Sequence, residues 1–169
     1  MRMKIKLNDD QKIRIKHSDD LYKVIKEILL RQDECRRRQE YFWVIGLSYI
    51  HKIEFVELVA LGRLNVVHVM PRDIFSYGIE IRCAHIVLIH NHPSGNLRPS
   101  VEDLFFTERM VAASLILDLK IEDHLIITEE GYRSFSNEVK IMYRQHKRRR
   151  ANRPLIFDFS EFPGVGSEP

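Results

Sequence analysis

The chain reads as an α/β protein with helices packed on one sheet, and three observations predict this. Apolar residues recur at helical spacing after residue 18, two long apolar runs of strand type follow from residue 41, and helical and strand-like segments then alternate as far as residue 138. At 169 residues, 44% hydrophobic and 30% charged, the chain is long enough to bury a sizeable core without disulfide staples. Its two cysteines, Cys35 in a charged stretch and Cys83 before an apolar run, form no disulfide framework and read as free thiols of a reducing compartment. They also exclude paired-cysteine zinc sites, so a metal here must be held by histidine and carboxylate.

The elements follow in order. Lys12 to Lys16 alternates apolar and basic residues as an edge strand would. Ser18-Asp19-Asp20 opens a helix with a capping hydroxyl and first-turn acids, and Leu21, Val24, Ile25, Ile28 and Leu29 form its single apolar stripe. The helix ends in the solvated run Arg31 to Gln39. Tyr41 to Ile50 and Ile53 to Leu61, closed by Gly62, contain so few polar residues that both strands should be covered on both faces. Val66 to Met70 is a third short run, stopped by Pro71, which opens a helix with Ile74, Phe75 and Ile79 on its apolar side. Ala84 to His90 is a compact strand, and Pro93 to Pro99 is a turn-rich loop. Ser100 starts the next helix at capping-box spacing from Asp103, with Leu104, Val111 and Leu115 expected to carry the buried stripe. Leu125 to Thr128 and Tyr132 to Phe135 flank Glu129-Glu130-Gly131 as a hairpin, and a final helix from about Ser136 runs into a basic tail. The organisation expected is an N-terminal strand and helix over 1–40, a main domain over 41–138, and a helix with a partly disordered tail over 139–169.

Charge is unevenly placed. Of the 27 Lys and Arg residues, seven (Lys140, Arg144, Lys147, Arg148, Arg149, Arg150 and Arg153) lie in the tail with no acid among them, and the rest are outnumbered by the 24 Asp and Glu. The sequence pI of about 8.9 therefore describes the tail, not the body. Its ordinary reading is a solvated helix end; its functional reading is unspecific, salt-sensitive contact with nucleic acid. No apolar run is long enough to span a bilayer and no secretory signal opens the chain, so a soluble, cytoplasmic protein with no membrane partner is expected. Nothing in the residues speaks to oligomeric state.

The stretch that carries chemistry is His90-Asn91-His92-Pro93, then Ser100 and Asp103. Two residues apart on a strand, His90 and His92 present their imidazoles on one face, and Asp103 in the first turn of the next helix can complete the set. Two imidazoles and a carboxylate suit a catalytic zinc ion (Zn²⁺) whose fourth position is open. Such a site also needs a proton acceptor and a donor for the developing oxyanion. Ser100, three residues before Asp103, places its hydroxyl near the metal. Glu57 lies in the apolar run Phe55 to Ala60, where an ionised carboxylate is costly without a stabilising neighbour. Spacing leaves Glu54 open as its rival, on the opposite strand face. His124, ahead of an apolar strand, reads as a satisfied structural histidine more readily than as a partner of the site. His85 falls on the opposite strand face from His90 and His92 and is not read as a ligand, and His17, His51, His68 and His146 have no supporting neighbours.

The segment HNHPSGNLRPSVED resembles the JAMM signature of JAB/MPN+ metalloproteases, and most closely its RadC-like branch. Glu57 before Gly62, Pro71-Arg72-Asp73 at a helix start, and Asp123-His124 on a strand add to the match, which covers roughly Tyr41 to Asn137. The resemblance implies an MPN/JAB-type, cytidine-deaminase-like α-β-α sandwich around a mixed central sheet. It further implies zinc on His90, His92 and Asp103, Glu57 as acid/base, Ser100 as oxyanion donor, and hydrolysis of a peptide or isopeptide bond in a peptide or protein substrate. Two departures stand out: 169 residues have no room for the helix-hairpin-helix domain of full-length relatives, and Asn96-Leu97-Arg98 replaces a smaller acidic loop. The alternative reading is a DNA-associated accessory protein, in keeping with the DNA-repair label of RadC-like proteins and with the basic tail.

Overall fold

The structure, a computed structural model, describes residues 3–62 and 69–152, the side chains of 149–152 excepted. Six strands form one mixed sheet in the order β1-β3-β2-β4-β5-β6: β1 Met3–Lys4, β2 Glu40–Leu47, β3 Ile53–Gly62, β4 His85–Asn91, β5 Lys120–Ile127 and β6 Tyr132–Ser134. Every pairing is antiparallel except β4 with β5, which the crossover helix α4 (Val101–Leu117) connects. Helices cover both faces, which makes the architecture an α-β-α sandwich.

Each face has its own core. On one, α3 (Pro71–Glu80), α4 and α5 (Ser136–Asn152) set Phe75, Phe106, Met110 and Val139 against Phe42, Val44, Leu88 and Ile126. On the other, α1 (Ser18–Leu30) sets Leu21, Ile25 and Ile28 against Trp43, Ile45, Val87, Ile89 and Leu125. Alternate residues of β2 and β4 thus feed opposite cores, which is why these central strands carry almost no polar residue. The segment expected as an N-terminal extension supplies one of the two helical layers. At Gly46 the ring of Phe55 lies where a Cβ would stand, so glycine is favoured there by close approach across the strands.

Several expectations are corrected. Lys12 to Lys16 forms no strand; Arg14 makes an isolated bridge to Lys52, and the strand beside β3 is Met3–Lys4, opposite Leu58 and Glu57. With β1 already on that edge, residues 13–15 reach only the start of β3 and its preceding turn, through Ile53 N–H to Ile13 O and Ile15 N–H to His51 O. The run after α1 contains a short helix, α2 (Glu34–Arg37). Ser18 is the first residue of α1, not its cap: Asp20 caps the turn by accepting from the Lys16 and His17 amides, and the Ser18 hydroxyl donates to Asp123. On α4 the buried stripe is Phe106, Met110, Val111 and Ser114, with Asp103 and Thr107. Leu104 is exposed and Leu115 half-buried, because the helix turns the side bearing Asp103 and Thr107 to the sheet. The strand expected over Val66 to Met70 falls largely outside the described residues, as does the tail from residue 153. Among the described residues no helix is long and apolar enough to cross a membrane.

Candidate metal centre

The centre forms where the end of β4 meets the start of α4. His90 pairs with Phe42 of β2 and Ile126 of β5, so its ring is fixed from both sides, and it stacks on Phe42 with centroids 6.0 Å apart. The His92 amide donates to Ile127 O at 2.9 Å, extending the ladder past the strand end and keeping His92 on the face of His90. The chain then turns through Gly95, whose φ of 78° favours glycine, and Ser100 caps α4. The capping box is reciprocal: the Asp103 amide donates to Ser100 Oγ at 3.0 Å, and the Ser100 amide and hydroxyl donate to Asp103 Oδ2 at 2.8 and 2.7 Å.

His90, His92 and Asp103 are therefore brought together by local structure. His90 Nε2 lies 3.0 Å from His92 Nε2 and 3.2 Å from Asp103 Oδ1, and His92 Nε2 lies 3.7 Å from Asp103 Oδ2. Both His90 and Asp103 are buried. Burial opposes ionisation of Asp103, but the His90 hydrogen bond and charge, with the Ser100 donors, outweigh it and hold the carboxyl well below the usual carboxylate range.

The hydrogen-bond network sets which imidazole nitrogens face one another. Thr107 Oγ1 donates to the Asp103 carbonyl, which can only accept, so toward His124 Nδ1, 2.7 Å away, the same oxygen accepts. His124 is fully buried, and desolvation first, then the charge of His90, holds its pKa well below the ordinary histidine value. Neutral and protonated on Nδ1, it accepts on Nε2 from His90 Nδ1 at 2.9 Å. His92 Nδ1 donates to Asn96 O at 2.7 Å. With both rings neutral, as ligation requires, both Nε2 lone pairs point at the ionised Asp103; without an ion, a proton on His90 Nε2 makes the Asp103 hydrogen bond instead. Three such atoms this close repel one another unless a cation lies between them, so the donor set fits a metal ion. His124 is in direct contact with the site, where the sequence favoured a structural histidine.

The other two predicted residues stand differently. The single hydroxyl proton of Ser100 is engaged by Asp103 Oδ2, 2.7 Å away. Glu57 is buried on the same sheet face but sits mid-strand opposite Val44 and Lys4. Strand β2 intervenes, and the offset from His90 amounts to two strand spacings and two residues, about 12 Å between backbones. Glu54 is exposed on β3. Besides Asp103, the carboxylates that line the cavity, about 620 Å³ and shared with His90, His92, Arg98 and Ser100, are Glu40 at the start of β2 and Glu102 in the first turn of α4. Since Phe42 pairs with His90 and β2 runs antiparallel to β4, Glu40 lies two residues beyond, level with His92 and on the same face. The only sequence signal for Glu40 is an acid directly before a buried run, which means nothing until β2 is known to adjoin β4.

The RadC-like JAB domain model matches residues 15–141. A UPF0758 protein of Caldanaerobacter subterraneus is 39% identical over 115 residues, 63% of this chain and 49% of that protein. UPF0758 proteins of Carboxydothermus hydrogenoformans and Methanospirillum hungatei are 35% and 37% identical, covering 78% and 72% of this chain and 56% and 52% of their own lengths. The chain thus spans about half the length of the curated relatives it matches. With three quarters of its residues inside the family match, on an α-β-α sandwich with a mixed sheet, the chain belongs to the RadC-like JAB domain family.

Proposed function

We propose that this protein is a zinc-dependent hydrolase that cleaves a peptide or isopeptide bond, with His90, His92 and Asp103 as ligands and Glu40, not Glu57, as acid/base. The observation that carries the reading is the convergence of three lone-pair atoms in a cavity that a carboxylate also lines. Zinc in such a site lowers the pKa of a bound water to about 7 and polarises a carbonyl oxygen. Glu40 takes the water's proton and returns it to the leaving amine, which makes amide cleavage possible near neutral pH. Ser100 holds Asp103, while Thr107 and His124 hold the His90 tautomer. Arg98, on the cavity wall, is placed to bind a carbonyl or carboxylate of the substrate chain.

The test is digestion of a peptide library by the purified protein, followed by Glu40→Gln and Glu57→Gln on whichever substrate is cut. Glu40→Gln should retain zinc and lose about 10²-fold to 10⁴-fold in turnover, the usual contribution of a positioned acid/base. Glu57→Gln should stay near wild type. Loss in Glu57→Gln with full activity in Glu40→Gln would return the base to β3, and full activity in both would sink the mechanism.

A second reading has one observation in its favour. Helix α5 exposes Lys140, Arg144, Lys147 and Arg148 at spacings of three and four, a row suited to a phosphate backbone. DNA binding that falls steeply with salt and is lost on replacing these four by Gln would support an accessory role on DNA; binding unchanged in that variant removes it.

A further inference from the structure

A second group of metal-binding side chains lies at the other end of the sheet, about 17 Å from His90 along β4. His85 opens β4, Glu122 sits at the irregularity where β5 pairs with it, and His51 occupies the turn between β2 and β3. The three come from distant parts of the sequence, so no motif announces them. His85 Nδ1 lies 3.0 Å and His51 Nε2 3.9 Å from Glu122 Oε1, and the two rings stack with centroids 4.8 Å apart.

Two features make this more than a surface ion-pair cluster. His85 Nδ1 is buried and, 3.0 Å from a carboxylate oxygen, still forms no hydrogen bond among the described residues, so the two atoms do not point at each other as donor and acceptor would. Their disposition suits ligands that share a third atom. Secondly, one donor atom from each of His51, His85 and Glu122 lies within 4.8 Å of the other two, close enough for all three to share one ion. Lys120 Nζ lies 2.8 Å from the same Glu122 oxygen, but its side chain is 56% exposed and can swing into solvent when a doubly charged ion takes its place.

We infer that His51, His85 and Glu122 form a second binding site for a late first-row divalent cation such as Zn²⁺ or Ni²⁺. Two imidazoles and one carboxylate select that class over Ca²⁺ or Mg²⁺, which prefer oxygen donors throughout. The site joins the β2–β3 turn to the starts of β4 and β5. It is independent of the hydrolytic reading, since it shares no residue with that centre.

The test uses the untagged full chain, stripped with chelator and back-titrated with Zn²⁺ against a chromophoric competitor. The wild type should bind two equivalents, one tightly and one more weakly. His51→Asn should lose the weaker equivalent while keeping the tight one; Asn tolerates the left-handed φ of 59° at this position, so the turn is preserved. His85→Gln should do the same. The loss in affinity should exceed the roughly 10-fold to 100-fold expected when a mere supporting partner is removed. His92→Ala should show the reverse, losing the tight equivalent and keeping the weak one, so failure of either site is seen separately. A single equivalent in the wild type overturns the inference, as does a second equivalent that survives in both His51→Asn and His85→Gln.

Discussion

The two ends of β4 carry the same three ligand types in different surroundings. At the C-terminal end His90 and Asp103 are buried, each imidazole has its second nitrogen engaged, and the carboxylate is gripped by a helix cap. At the N-terminal end His51, His85 and Glu122 have side chains 43%, 18% and 25% exposed, and a lysine competes for the carboxylate. The first group is held before an ion arrives; the second must displace Lys120 and settle its turn as the ion binds. Preorganisation, more than ligand identity, should therefore separate their affinities.

The largest effect expected is at the buried end. Asp103→Ala removes one of three ligands together with the acceptor of the α4 capping box, and zinc retained through purification should fall from about one equivalent to none at that site. Elemental analysis that finds equal metal in wild type and Asp103→Ala would erase the distinction between the two ends.

Next comes the scaffold between them. Asp123 accepts from the Ser18 and Ser134 hydroxyls and from the His124 and Phe135 amides, tying α1 and β6 to the strand that carries His124. Asp123→Ala leaves several buried donors without this partner, and at about 1–3 kcal/mol for each unsatisfied group the unfolding free energy should drop by roughly 3 kcal/mol in denaturant titration. A drop below about 1 kcal/mol would mean that the donors find other acceptors and that the rigidity of the buried end has another source.

A smaller change sharpens the role of tautomer control. Thr107→Val keeps the shape but removes the oxygen that accepts from His124 Nδ1, so zinc affinity at the His90 site should weaken by about 10-fold to 100-fold, with Thr107→Ser close to wild type. Unchanged affinity in Thr107→Val would show that His90 needs no help from behind.

The smallest effect concerns the exposed end. Cys83 bonds weakly to the His85 carbonyl, and burial, then the charge of Glu54, pushes its thiol up to about 11. It should stay a protonated core residue, neither ligand nor nucleophile. Alkylation of the native protein should modify exposed Cys35 and leave Cys83 intact until denaturant is added. Rapid labelling of Cys83 would show that this end of the sheet opens in the native protein.

What the sequence determined by itself is everything that rests on short-range periodicity. The His90–His92 alternation, the Ser100–Asp103 cap, and the two-face burial of β2 and β4 each depend on residues within a few positions of one another, where strand and helix geometry leave little freedom. Which carboxylate lies level with His92 depends on strand order: β2, between β3 and β4, sets Glu40 there and leaves Glu57 two strands away from His90. The buried side of α4 departs from its apolar periodicity for a related reason: the helix turns Asp103 and Thr107, polar residues that hydrophobic periodicity discounts, toward His90 and His124. His124 behind His90, and His51 beside His85 and Glu122, are pairings across 34 or more residues that only the packed sheet creates. Long-range register is set by the sum of both cores and by the crossover helix, and no local pattern encodes that sum.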